Sequence, residues 1–310
     1  MTPEASKVHL WMMCALSALA LFLIWGRAFG SPRPPAAINE SFATTSDGIR
    51  IHYLETGNVG SPRVLVLIPG WRLPAYLWNE QLQKFSQGMR VIAIDPRSQG
   101  ESTKTAEGDT PEFRARDLHD VLADLKIPRC ILVGWSQGVQ DVAAYIQQYG
   151  TDSLAGIVLV DSPISAGPAE IKINPEFSEG VLSRLNGYIT EPRQYCEGMV
   201  RSIFMQPHPD LDIQKIVNST LQTPTAIAIS MLVSDFFGVD RRPALAKINK
   251  PTLFIASGAS AQLAAERETA ASISGSQFLV VQGAGHAVFV DQPETFDDAL
   301  QTFIQAKVEW

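Results

Sequence analysis

Cysteine, histidine and basic runs are all scarce in this chain of 310 residues. The three cysteines, Cys14, Cys130 and Cys196, are scattered and odd in number, with neither metal-ligand spacing nor a disulfide framework. Cys130 opens an apolar run and reads as a small core residue. The five histidines include no His-x-x-x-His or similar ligand pattern, so no metal ion is expected, and no cofactor. Lys and Arg total 25 against 32 Asp and Glu, a net charge of −7, and no basic stripe appears; nucleic acid is excluded as a partner. No internal repeat or low-complexity tract interrupts the chain.

What is present is apolar: 45% of residues are hydrophobic, ample for the core of one α/β domain. Leu10 to Trp25 is an uncharged apolar run flanked by Lys7 and Arg27. Its length falls between a signal-peptide core and a full membrane span. Residues 1–30 therefore read as a single membrane-anchoring helix or a cleaved signal, the latter giving a secreted or periplasmic protein. The flanking charges favour neither orientation. Residues 31–40, with Pro32, Pro34 and Pro35, read as a linker.

From there, apolar runs of strand length recur. A hairpin is expected over Ser41–Thr45 and Ile49–Leu54 around Asp47-Gly48. Aliphatic runs follow at Val64–Ile68, Val91–Ile94, Ile131–Val133, Ile157–Val160, Leu253–Ala256 and Phe278–Val281. Between them lie helical patterns such as Pro111–Leu125, with Phe113, Leu118, Val121, Leu122 and Leu125 as its apolar stripe. Alternating strand and helix predicts an α/β fold, a mostly parallel, doubly wound sheet with helices on both faces. Residues 163–242 break the alternation. They carry short helical pieces punctuated by proline and no clear core strand, and read as an inserted helical lid. Ile203, Phe204, Met205, Met231, Leu232, Phe236 and Phe237 suit a lid over an apolar pocket. Residues 41–162 and 243–310 form the expected core.

Five residues carry the chemistry: Gly134-Trp135-Ser136-Gln137-Gly138, between a strand and a helix. A Gly-x-Ser-x-Gly in that setting is a nucleophile elbow. The turn is so tight that the positions two before and two after the serine must be nearly free of side chain. The hydroxyl of Ser136 then projects outward, and the N–H of Gln137 at the helix start is left to bind an oxyanion. Three further runs end at the same crevice with polar residues. These are Pro69-Gly70-Trp71, Asp95-Pro96-Arg97-Ser98-Gln99-Gly100-Glu101-Ser102 and Gly283-Ala284-Gly285-His286.

This ordered set resembles the α/β-hydrolase superfamily from about Phe42 onward, and within it the serine esterase and cofactor-free haloperoxidase-like group with a helical cap. The resemblance implies a serine nucleophile at Ser136, a general base at His286, and oxyanion donors at Gln137 and Trp71. Pro69 stands where the family usually has a histidine. In most relatives the acid follows the strand after the cap, but Ser257-Gly258-Ala259-Ser260-Ala261-Gln262 holds no carboxylate, and Glu266 and Glu268 lie too far along the next helix. Some members place the acid one strand earlier, where this chain has Asp161. Its other reading is a turn cap, with Ser260 orienting His286 instead. Asp95 and Arg97 are expected to brace their loop, and Asp141 to be solvated or paired. His52, His119 and His208 carry no catalytic context; His208, between two prolines, would at most line an entrance.

The implied activity is hydrolysis of a small, hydrophobic carboxylic ester through an acyl-enzyme. A perhydrolase, C–C bond hydrolase or acyltransferase would use the same residues, and a non-catalytic ligand-binding protein would keep the fold alone. The partners expected are that small-molecule ester and, through residues 1–30, a membrane.

Overall fold

The computed structural model describes residues 35–165, 175–209 and 211–310. The apolar run Leu10–Trp25 lies outside them. Among the described residues no single helix is long and apolar enough to cross a membrane.

Eight strands form one sheet in the order β1-β2-β4-β3-β5-β6-β7-β8. They are β1 (Asn39–Thr44), β2 (Arg50–Thr56), β3 (Val64–Ile68), β4 (Arg90–Ile94), β5 (Cys130–Trp135), β6 (Leu154–Val160), β7 (Thr252–Ser257) and β8 (Gln277–Val281). β1 and β2 pair antiparallel, as does β2 with β4, and every other pairing is parallel. The aliphatic runs show no polar alternation because both faces of the sheet are covered. In β3, Leu65 and Leu67 point into one core while Val64, Val66 and Ile68 point into the other.

Helices α1 (Asn79–Phe85) and α10 (Pro293–Lys307) supply Leu82, Phe85, Phe296, Leu300 and Phe303 to the first core. Helices α2 (Pro111–Asp124) and α3 (Gln137–Tyr149) supply Leu118, Val121, Val142 and Ile146 to the second. Thr110 caps α2 by accepting from the Phe113 N–H, with Pro111 in the first turn. Phe113 itself departs from the expected stripe. It is 41% exposed and lies under the Arg116 guanidinium, 4.6 Å from the ring centre, instead of facing the sheet.

Between β6 and β7 the chain builds α4 (Pro175–Thr190), α5 (Pro192–Ser202), α6 (Ile213–Gln222) and α7 (Thr225–Phe237). Pro175, Pro192 and Pro224 stand at or beside helix starts, where a missing N–H costs nothing. Tyr188, Cys196, Ile203, Val217 and Met231 from this insertion join the first core, so the helices are packed onto the sheet. After β7 come α8 (Leu263–Ala271) and, past β8, the short α9 (Val288–Asp291).

Asp95 braces the loop after β4. Its carboxylate accepts the Ala75 N–H at 2.7 Å and the Glu101 N–H at 3.0 Å, and it pairs with His52 Nδ1 at 2.7 Å. Arg97 turns away from Asp95 and binds Asp117 and Asp47.

Trp78 holds the first core beneath the site. It stacks on Phe289 with ring centres 3.7 Å apart and meets Trp135 and Phe296. Trp78→Ala, which empties this fully buried position, should lower stability by about 3–5 kcal/mol in chemical denaturation. A loss under 1 kcal/mol would show that the aromatic cluster is not the support described.

Candidate active site

The elbow is as tight as its glycines require. Ser136 sits at φ 56 and ψ −119, a conformation that side chains avoid and that functional turns store as strain. Its N–H is tied to Val160 O at 3.0 Å, which pins the turn to β6. A Cβ on Gly134 would lie 2.4 Å from Gly138 O, and one on Gly138 would lie 2.7 Å from Ile68 O. Neither position tolerates a side chain. Gly70 approaches from β3 so closely that a Cβ there would stand 3.3 Å from Ser136 Oγ. The next residue is Trp71, and Gln137 heads α3. Among the described residues neither the Trp71 N–H nor the Gln137 N–H has an acceptor. Two free amides beside a half-buried serine hydroxyl suit an oxyanion.

His286 lies in the loop after β8. Its Nδ1 is 2.7 Å from Asp161 Oδ2, and the other carboxylate oxygen accepts the Ser257 N–H at 2.6 Å. Asp161 directly follows β6 at φ 48, with its own N–H bonded to Ile255 O at 2.9 Å. A carboxylate only accepts, so the imidazole carries its proton on Nδ1 and leaves Nε2 as a base. The Trp135 indole N–H donates to His286 O at 2.8 Å, tying the elbow strand to the histidine loop. The structure thus brings Asp161 and His286 into contact, and it places Ser136, Gln137 and Trp71 around Gly70. Among the described residues no hydrogen bond joins Ser136 Oγ to His286; such bonds commonly tighten only with substrate bound.

Ser260 does not orient His286. Its hydroxyl donates to Glu266 Oε1 at 2.6 Å. Glu266 is 1% exposed, and its carboxyl is pushed up to about 7, chiefly by burial and further by Asp161, against the Ser260 hydrogen bond.

Several neighbours escaped sequence reasoning. Asp291, in α9, takes the Gly285 N–H at 2.6 Å, the Met205 N–H at 2.8 Å and His208 Nε2 at 2.6 Å. His208 is therefore a tie between the inserted helices and the histidine loop, not an entrance residue. The short spacing from His286 to Asp291 was the only signal. Asp141 is paired with Arg114 at 2.8 Å, deep in the interior, and the same guanidinium reaches Asp235 of α7 at 3.1 Å. Burial raises the pKa of both carboxyls against that pairing. Nothing in the local sequence of α2, α3 or α7 announced a three-helix ion cluster.

A cavity of about 1110 Å³ opens beside Asp161 and His286. It reaches the acid and the base but not Ser136. Phe204, Met205 and Phe236 line it as expected of an apolar lid, but Arg184, Gln262 and Glu268 do too, so the wall is mixed.

The chain as a whole is similar to known proteins. Residues 65–299 match the model of the "Alpha/beta hydrolase family". A non-heme chloroperoxidase of Kitasatospora aureofaciens is 29% identical over 79% of this chain and 91% of its own length. A thermophilic esterase from Thermogutta terrifontis superposes with a TM-score of 0.72 at 26% identity, covering 86% of this chain and 98% of that one. A bromoperoxidase from Bacillus anthracis gives 0.75 at 23% identity over 86% and 100%, a likeness of fold.

The raised pKa of Glu266 makes a test. A carboxyl bound more tightly to its proton when folded contributes stability below its unfolded value, near 4.5, that is lost as pH rises to about 7. Glu266→Gln should match wild type near pH 4.5 and exceed it by roughly 1–3 kcal/mol at pH 8 in urea unfolding. Parallel pH dependence in the two proteins would sink this account.

Proposed function

Since the chain belongs to the alpha/beta hydrolase family and is accordingly an enzyme, a hydrolase, we propose that it hydrolyses carboxylic esters through an acyl-enzyme on Ser136. The observation that carries the reading is the 2.7 Å contact between His286 Nδ1 and Asp161 Oδ2. It supplies a fixed, correctly protonated imidazole to a chain that already sets a serine on a strained elbow.

In this reading His286 Nε2 takes the proton of Ser136 Oγ as the oxygen attacks the ester carbonyl. Asp161 stabilises the resulting imidazolium, and the Trp71 and Gln137 amides bind the oxyanion. The imidazolium returns its proton to the departing alcohol. Water, activated by the same imidazole, then attacks the acyl-enzyme and releases the carboxylic acid. The acid's place after β6 is compatible with this because Ser257, which ends β7 just before the loop that lacks a carboxylate, gives Asp161 a backbone N–H. The Phe204, Met205 and Phe236 part of the mixed wall beside His286 supports an apolar group on the substrate lying next to the base. For residues 1–30 the proposal stays a membrane anchor or a cleaved leader, decided by whether the native protein's mature N-terminus precedes or follows that run.

Likeness to a chloroperoxidase favours a second reading, perhydrolysis. Hydrogen peroxide in place of water would attack the acyl-enzyme and release a peracid from the same residues.

Hydrolysis of p-nitrophenyl acetate, butyrate and octanoate tests the main reading. Ser136→Ala should abolish turnover, and Asp161→Asn should lower kcat about 10³–10⁴-fold in a folded protein. Full activity in Asp161→Asn would remove Asp161 from the triad. Peracid formation from acetate and peroxide in excess of ester hydrolysis would establish the second reading.

A further inference from the structure

A buried chain of amides runs from the loop of Trp71 to the inserted helices. Gln99 is fully buried in the loop after β4. Its Oε1 accepts the Arg72 N–H, and its Nε2 donates to Gln137 Oε1 at 3.3 Å. Gln137 Nε2 in turn donates to Asp235 Oδ2 on α7. Asp235 also takes the Arg114 guanidinium on its other oxygen, and at the opposite end of the chain the Arg72 backbone N–H can only donate. That fixes every link. Gln137 has to turn its amide nitrogen to Asp235, which leaves its oxygen to Gln99. Gln99 then turns its nitrogen to Gln137 and its oxygen to Arg72. No amide can flip without burying two like groups face to face, and aligned bonds of this kind strengthen one another.

The chain ends where it has leverage. Arg72 is held at φ 61, a left-handed conformation that bulky residues avoid. Two contacts keep it there, the Gln99 acceptor and a bond from Arg72 Nε to Thr220 O of α6 at 3.0 Å. On the other side of Trp71, Gly70 O accepts the Leu73 N–H at 3.1 Å. Both peptide planes flanking Trp71 are thereby fixed, and with them the direction of its N–H. The second link of the chain is the side chain of Gln137, whose backbone N–H is the other free amide.

Resting on the serine reading above, we propose that Gln99 is a positioning residue that sets the two oxyanion-binding amides at Trp71 and Gln137 relative to one another, and that Asp235 of the inserted helices anchors its chain. Gln99 touches no reacting atom. Its effect falls on the charged transition state and not on ground-state binding.

An alkyl fluorophosphonate on the full chain reads this without knowledge of the natural ester. Ser136 Oγ bonds to phosphorus as its proton passes to His286 Nε2, negative charge builds on the phosphoryl oxygen, and the P–F bond breaks to release fluoride. Mass spectrometry follows the adduct on Ser136. Gln99→Leu should lower the maximal rate of phosphonylation about 10–100-fold. The half-saturating probe concentration should stay within about twofold, and the pH midpoint of the rate should not move because Asp161 and His286 are untouched. Asp235→Asn, which cuts the chain at its far end, should give the same pattern about three- to tenfold in size and stands in if Gln99→Leu does not fold. An unchanged rate in a folded Gln99→Leu or Asp235→Asn protein, a change confined to half-saturation, or a shifted pH midpoint would overturn the positioning role alone. Absence of label on Ser136 in the wild type would overturn the serine reading and this inference with it.

Discussion

The upper edge of the sheet is organised around one hydrogen bond, that between the Asp161 carboxylate and His286. It joins the end of β6 to the loop after β8 across β7, and a backbone N–H from β7 completes it. Remove it and the imidazole has neither a fixed tautomer nor a fixed plane. The strained φ of Asp161 is the local cost of aiming a carboxylate sideways from a strand end. The parallel sheet makes the arrangement possible by delivering β5, β6, β7 and β8 to the same edge in adjacent positions.

Much of this was legible in the residues. The β3 run was readable to its ends because a strand buried on both faces is an uninterrupted aliphatic stretch between turn residues. The elbow was readable because only glycine fits where a neighbouring carbonyl stands 2.4 Å from a hypothetical Cβ. Asp161 and His286 were named from strand-end positions that match the superfamily's pattern, and the structure puts them in contact. What stayed hidden depends on contacts distant in sequence. Asp235 lies 98 residues from Gln137, and Asp291 lies 83 from His208. A carboxylate in an amphipathic helix looks the same to sequence reasoning whether solvent or an arginine receives it. Phe113 was misplaced for a related reason: its spacing fits the apolar stripe, but a guanidinium beside it offers the ring a different partner.

Charge is handled differently in the two halves of the interior. Beneath the Ser136 elbow, Trp78, Trp135 and Phe289 make a buried aromatic floor. Between α2, α3 and α7 the floor is ionic, with one guanidinium shared by two carboxylates. Ion clusters of this kind are weak sources of stability but strict about geometry. This one joins the inserted helices to the elbow helix in a single register.

The carboxylate of Asp291 has a dynamic corollary. It holds Gly285, the residue before His286, with the same oxygen that holds Met205 of the inserted segment. Displacing that segment would cost the shared acceptor one of its donors, while Asp161 and Trp135 keep hold of His286, so movement there is decoupled from the plane of the imidazole.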